Sequence, residues 1–209
     1  MLVGERSESR VIYKHYTDSE KLVFDLILLC SCDKMLYVNS NLVEHSNMDL
    51  EFRKITEYPR GTLVKLLKDG YSFEPRFEEY WQVQWQEFDD FFYDNPRIAE
   101  FSGFMSVLEG KPIGFVSWNP TKLPESAEIG HNCIATKYKG NGYGKKQMQE
   151  EVRRIKEQGA KKIIVWTNER LIPAQSTYEA AGFQFVQKSE ETICPEYAGQ
   201  RIHYEMVVQ

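Results

Sequence analysis

The chain has 209 residues, 42% apolar and 27% charged, with a net charge of −5 at neutral pH, which fits one sizeable globular domain or one domain with an appendage. The acidic balance excludes general nucleic-acid binding, which needs clustered positive charge against phosphates, and is compatible with a cationic partner. Four cysteines (Cys30, Cys32, Cys133, Cys194) form no Cys-x-x-Cys pair and no zinc-spaced cluster with the four histidines, so no metal is expected and free thiols in the cytoplasm are.

Residues 1–47 read as an N-terminal extension of unassigned role. Two short β-like runs, Val11–Tyr16 and Met35–Val38, flank the apolar segment Leu22–Cys30. That segment is far short of the ~20 apolar residues of a membrane span and lacks the basic flank of a signal peptide. It reads as a buried strand or short core helix, so no membrane partner is expected. The extension would add strands or make a subunit contact, which leaves a homodimer open, and Met48 is an alternative start.

The main domain is read over residues 48–209. Leu50–Ile55 alternates apolar and charged residues as a half-buried strand does. Pro59 opens a helix with Leu63, Leu66 and Leu67 on one face and Gly70 as its stop. Phe77, Trp81, Trp85, Phe88 and Phe92 mark one face of a second helix over about 77–92. Phe104–Leu108 and Ile113–Trp118 flank Glu109-Gly110-Lys111-Pro112 as a hairpin. Glu128–Ala135 reads as a strand leading into a glycine segment, and Met148, Val152 and Ile155 mark a helix after it. Ile163–Trp166 is a compact apolar strand. Pro173 then fits the first turn of a helix closed by Gly182, and strands near Phe183–Gln187 and Ile202–Val208 finish the chain. The order β-α-α-β-β-β-α-β-α-β-β predicts an α/β fold, a mixed central sheet with helices on both faces.

The glycine segment, KYKGNGYGKK at 137–146, invites three phosphate-binding readings. The mononucleotide pattern G-x-x-x-x-G-K-[ST] fails twice, because Lys139 stands where its first glycine belongs and Lys146 where its hydroxyl belongs. The dinucleotide pattern is a poor fit, since the segment is G-x-G-x-G at mid-chain and no acidic residue follows the next strand. A strand, a glycine turn and a helix N-terminus instead present free N–H groups to a pyrophosphate, and Lys139, Lys145 and Lys146 add cationic charge. Coenzyme A is the third reading, against the plainer one of a glycine turn with solvated lysines.

Lys139-Gly140-Asn141-Gly142-Tyr143-Gly144 resembles the acyl-CoA loop Q/R-x-x-G-x-G/A of the GNAT N-acetyltransferase superfamily, with Lys139 in place of Gln or Arg. Ala174–Phe183, AQSTYEAAGF, resembles that family's second signature. The likeness spans roughly residues 48–209 and departs from the family at Leu171, where an Asn is frequent. It implies an enzyme that transfers an acetyl group from acetyl-CoA to a primary amine by direct attack in a ternary complex. The alternative is a non-catalytic acyl-CoA-binding or regulatory module. By the same likeness Lys139, Gly140, Asn141, Gly142, Tyr143, Gly144 and Lys145 would bind the coenzyme's phosphates, and backbone groups of Asn132 to Ala135, Ile134 among them, its pantetheine arm.

Such chemistry has two proton problems. An alkylamine with a pKa near 10.4 is neutral in only about one molecule per thousand at pH 7, a deficit of roughly 4 kcal/mol. The departing thiolate in turn needs a proton. The resemblance makes Tyr178 the acid, against a plain packing role, and Glu128 the base, against a solvated strand end. His131 is a rival base. Strict alternation turns it away from Glu128, and a β-bulge would bring the two to one face. Cys133 has no histidine partner by spacing and reads as a small buried hydrophobe.

The acceptor is expected to be a small-molecule, peptide or protein amine, cationic in character. Tyr71–Pro96 carries seven acidic residues against Arg76, with ten aromatics. It reads either as an acidic, aromatic-lined mouth for that amine or as an amphipathic helix whose aromatics are core.

Overall fold

Alternation and helical spacing become, in the computed structural model, a mixed sheet with helices on both faces. The structure describes residues 49–190 and 199–208. The readings of the 1–47 extension, including Leu22–Cys30, fall outside them. Strand β1 (Glu51–Arg53) leads through a short 3-10 turn to α1 (Thr62–Gly70). The helix starts later than Pro59, whose carbonyl accepts from Thr62 N at 3.1 Å in the turn ahead of it. The fully buried Asp89 holds its N-terminus, accepting from Gly61 N at 2.7 Å and Leu63 N at 3.1 Å.

Asp89 belongs to α2 (Pro75–Asp94). Pro75 occupies its first turn and Glu74 accepts from Arg76 N, so helix entry is coded locally. Phe77, Trp81, Trp85, Phe88 and Phe92 are all buried, each contributing about 1.5–3 kcal/mol by leaving water. The aromatic-lined mouth is therefore not what this segment builds. Its aromatic face is core, and Glu78, Asp90 and Asp94 sit outside with Lys68 and Arg60 as ion-pair partners.

A further helix, α3 (Pro96–Ser102), was not anticipated. Asn95 leaves helical geometry and Pro96 restarts it, so one apparent helix end is a kink between two. Strands β2 (Gly103–Leu108) and β3 (Lys111–Asn119) form the expected hairpin, with positive φ at both Glu109 and Gly110, as a two-residue turn matched to strand twist requires.

Then follow β4 (Ala127–Ile134), α4 (Tyr143–Glu157), β5 (Lys162–Asn168), α5 (Ile172–Ala180), β6 (Gln184–Glu190) and β7 (Gln200–Val207). The sheet order is β1-β2-β3-β4-β5-β7-β6. Every neighbouring pair is antiparallel except β4 and β5, which run parallel. Among the described residues no helix is long and apolar enough to cross a membrane.

Candidate active site

The parallel pair is incomplete. β4 and β5 are in register only at Ala127↔Ile163 and Glu128↔Ile164, so beyond Glu128 the strands part towards their C-terminal ends. Both following segments, the glycine loop into α4 and the turn into α5, start at that open end. β4 also carries a bulge. Trp118 lies opposite Ile129 and Val116 opposite Asn132, so β4 uses one residue more than β3 across Gly130 and His131. Facing residues share a side of the sheet. The bulge therefore puts Asn132 and Ile134 on one side, and Glu128, His131 and Cys133 on the other.

The side of Asn132 belongs to α4, where Asn132 Nδ2 meets Glu151 Oε2 at 3.4 Å and Gln147 Nε2 donates to Asn132 Oδ1 at 2.7 Å. A cleft of about 530 Å³ opens here, walled by Asn132 and Ile134 of β4, the glycine loop, and Ala174 and Tyr178 of α5. Ala135 N is spent on Ile113 O at 2.7 Å, so ladder alternation turns the N–H groups of Asn132 and Ile134 towards the split. Gly142 caps α4 at φ 78° with open space where a Cβ would stand, and among the described residues no side chain caps this helix. Its first N–H groups and the positive end of its dipole thus face the cleft, the requirements of an anion cradle.

Of the expected coenzyme residues, Ile134, Lys139, Gly140, Gly142, Gly144 and Lys145 line this cleft. Ala135, Asn141 and Tyr143 are not among its walls. Ala135 closes the β3 ladder, Asn141 Nδ2 ties the loop to the carbonyls of Tyr138 and Lys139, and the Tyr143 ring meets that of Tyr138. Lys139 departs in a second way. Its ammonium donates to Gly70 O at 2.9 Å and lies over Phe73, placing its charge at the negative end of α1. Tyr178 is 3% exposed and packs on Phe183 and Tyr204.

The opposite side carries Glu128. Its Oε1 accepts from Trp166 Nε1 at 3.1 Å, and the two line a second cavity with Arg201 and His203 of β7. Glu128 and Tyr178 thus approach the strand split from opposite faces of the sheet. The bulge does bring His131 to Glu128's side, but His131 packs its ring against Phe88 and Phe115, 3% exposed, in neither cavity. Burial pushes its pKa well below the usual imidazole value, so it sits neutral among rings. Cys133 is buried too, its Sγ donating to Leu66 O of α1. Among the described residues no group of three or more His, Cys, Asp or Glu could hold a metal ion.

Beneath the cleft, Glu151 is fully buried and its Oε1 has no hydrogen-bond partner among the described residues, and burial raises its pKa well above the usual carboxylate range. A carboxyl raised on folding stabilises fully below its unfolded pKa, and that stability is lost as pH rises towards the folded one. The Glu151→Gln protein lacks this titration. Its Tm should gain on that of the natural chain as pH rises from about 5 to 8. Thermal melts across that range check it, and a constant difference would refute it. His131 acts with the opposite sign, below the usual imidazole value, and is common to both proteins.

A model of the acetyltransferase (GNAT) family matches residues 62–183, from α1 through the end of α5. The chain belongs to that family. It is an acetyl-CoA-dependent acyltransferase, and acetyl-CoA is its acyl donor. No curated protein matches it. Among solved structures, a GNAT-family protein from Desulfovibrio desulfuricans is 19% identical over 77% of this chain and 100% of its own, with a TM-score of 0.62. The PaiA N-acetyltransferase of Thermoplasma acidophilum, solved with coenzyme A, is 16% identical over 77% and 100%, at 0.61. A GNAT acetyltransferase from Elizabethkingia anophelis, solved with acetyl-CoA, is 15% identical over 78% and 99%, at 0.54. At such identities these structures share the GNAT fold with this acetyltransferase.

Sequence reasoning passed over the β7 side of the second cavity. A signal was present: Arg201, His203 and Glu205 alternate with the apolar Ile202, Tyr204 and Met206, marking one polar face on a strand of the sheet.

Proposed function

We propose that this acetyltransferase moves the acetyl group of acetyl-CoA to a primary amine by direct attack within a ternary complex. The observation that carries the reading is the pair of cavities meeting the β4–β5 split from opposite faces, one walled by the glycine loop and Tyr178, the other by Glu128. The first suits the coenzyme. Gly140, Gly142, Gly144, Lys145 and the uncapped first turn of α4 would hold the pyrophosphate, and the N–H groups of Asn132 and Ile134 the pantetheine arm. Coenzyme in two relatives of this fold supports the assignment.

Bound there, acetyl-CoA supplies an activated thioester carbonyl. The chain's own groups handle the protons. The amine nitrogen forms its bond to that carbon as the carbon–sulfur bond breaks. A carboxylate oxygen of Glu128 takes the proton the amine loses, directly or through a water, and Tyr178 Oη gives one to the departing thiolate. Direct transfer is favoured over a cysteine intermediate because Cys133 is buried against α1, away from both cavities. The scarcity of cysteines, four in 209 residues, favours a cytoplasmic setting. Thiol release from acetyl-CoA, measured across a panel of primary amines with mass spectrometry of the products, tests the reading. Amine-dependent release with N-acetylated product is expected, and coenzyme binding without turnover of any amine would overturn it.

A further inference from the structure

The cavity that holds Glu128 encloses about 520 Å³ and carries both signs of charge. Glu128 lies where β4 and β5 still pair. Arg201 lies further towards the C-terminal end of β5, opposite its last residue, Asn168. The Trp166 indole separates the two. The Arg201 guanidinium sits 4.0 Å over its ring, while its Nε1 donates to Glu128 Oε1 at 3.1 Å. One rigid side chain therefore spaces a carboxylate from a guanidinium and orients both.

Among the described residues of the lining, the other charged side chains are already engaged. Glu205 pairs with Lys162 at 3.0 Å, and His203, bonded to Ser189 Oγ at 2.8 Å, is held below its usual pKa by burial and by Arg201. A guanidinium offers five donors in a planar fork that matches a carboxylate. A purely cationic acceptor would meet Arg201 as a like charge, whereas an acceptor with an anionic end would not. An amine and a carboxylate joined by a few bonds match the order of charges along this cavity.

Resting on the proposed transfer to an amine, we propose that the acceptor also carries a carboxylate, as an amino acid does. Arg201 binds that carboxylate, and the amine faces Glu128. The test uses matched pairs, each an amino acid and the amine left by its decarboxylation, with the full-length protein and acetyl-CoA. The amino acid of at least one pair should be acetylated with kcat/KM at least about tenfold higher than its partner amine. Arg201→Ala should raise KM for that amino acid roughly tenfold to a hundredfold, and by clearly more than it changes KM for the partner amine. Arg201→Lys, which keeps the charge without the fork, should fall between, and it preserves the test if the alanine protein fails to fold. Independently of turnover, the amino acid should quench tryptophan fluorescence in the presence of coenzyme A, and Arg201→Ala should abolish the quench. Equal or better acetylation of the decarboxylated amines overturns this proposal and leaves the amine acetyltransferase reading standing. Acetylation of neither series, nor of any other amine, overturns both.

Discussion

Glu128→Gln should lower kcat by about 10²- to 10³-fold at neutral pH while leaving coenzyme affinity unchanged, because only the proton acceptor is lost. Glutamine keeps an oxygen to accept from Trp166 Nε1, the bond Glu128 makes at 3.1 Å, so the cavity's shape is preserved. The deficit has a pH signature. The base matters because the amine is almost wholly protonated at neutrality, and the loss should shrink as pH rises towards about 10. Tyr178→Phe should cost kcat a comparable factor, about 10²-fold. Its ring contacts to Phe183 and Tyr204 at 6.0 and 5.9 Å survive, so KM for acetyl-CoA should hold. Steady-state kinetics against pH, with calorimetry of coenzyme A binding, separate these outcomes. A pH-independent loss in the glutamine protein would remove Glu128 from the base role, and full activity in the phenylalanine protein would remove Tyr178 from the acid role.

Elements whose signal is local were legible in the sequence. The β2–β3 hairpin was marked by its turn residues, α5 by Pro173 and Gly182, and the α4 cradle by glycines just ahead of an apolar stripe. What escaped depends on which face or partner a residue meets. The bulge at Gly130 and His131 exists only in the register between β3 and β4, and it decides that Glu128 and His131 share a side. Lys139 read as a phosphate contact from its own charge and its place in the glycine loop; it lines the coenzyme cleft, and its ammonium also bonds Gly70 O, 69 residues away in sequence, which no local signal encodes. The acidic and aromatic residues of α2 fit a binding mouth and a core helix equally well as composition, and only packing separates the two. Arg201 gained meaning through Trp166, which lies on another strand.

Gly114→Ala should destabilise the protein by about 3 kcal/mol or more and lower Tm by roughly 10 °C, with weakened coenzyme binding as a consequence. Gly114 lies on β3 opposite Ile134, beneath α4. A Cβ there would stand 2.3 Å from the Cys133 carbonyl, 2.6 Å from Ile134 Cδ1 and 2.9 Å from Gln147 Oε1. Gln147 holds the same spot from the helix side. This fully buried polar residue of α4 accepts from Ser106 Oγ at 2.6 Å and donates to Asn132 Oδ1 at 2.7 Å and Phe115 O at 3.2 Å. It knits the helix to three strands, and a buried network so satisfied cannot shift piecemeal without leaving polar groups unpaired. The added methyl must therefore move β3 off β4 or lift α4, and either motion disturbs the glycine loop and the Asn132–Ile134 edge that wall the coenzyme cleft. Trimming Gln147 to Ala should not rescue the variant, because the nearest clash is with the backbone carbonyl of Cys133. Thermal melting and coenzyme A calorimetry on the single and double variants decide it. An unchanged Tm, or rescue by the second substitution, would show that β3 and β4 have slack which this geometry denies them.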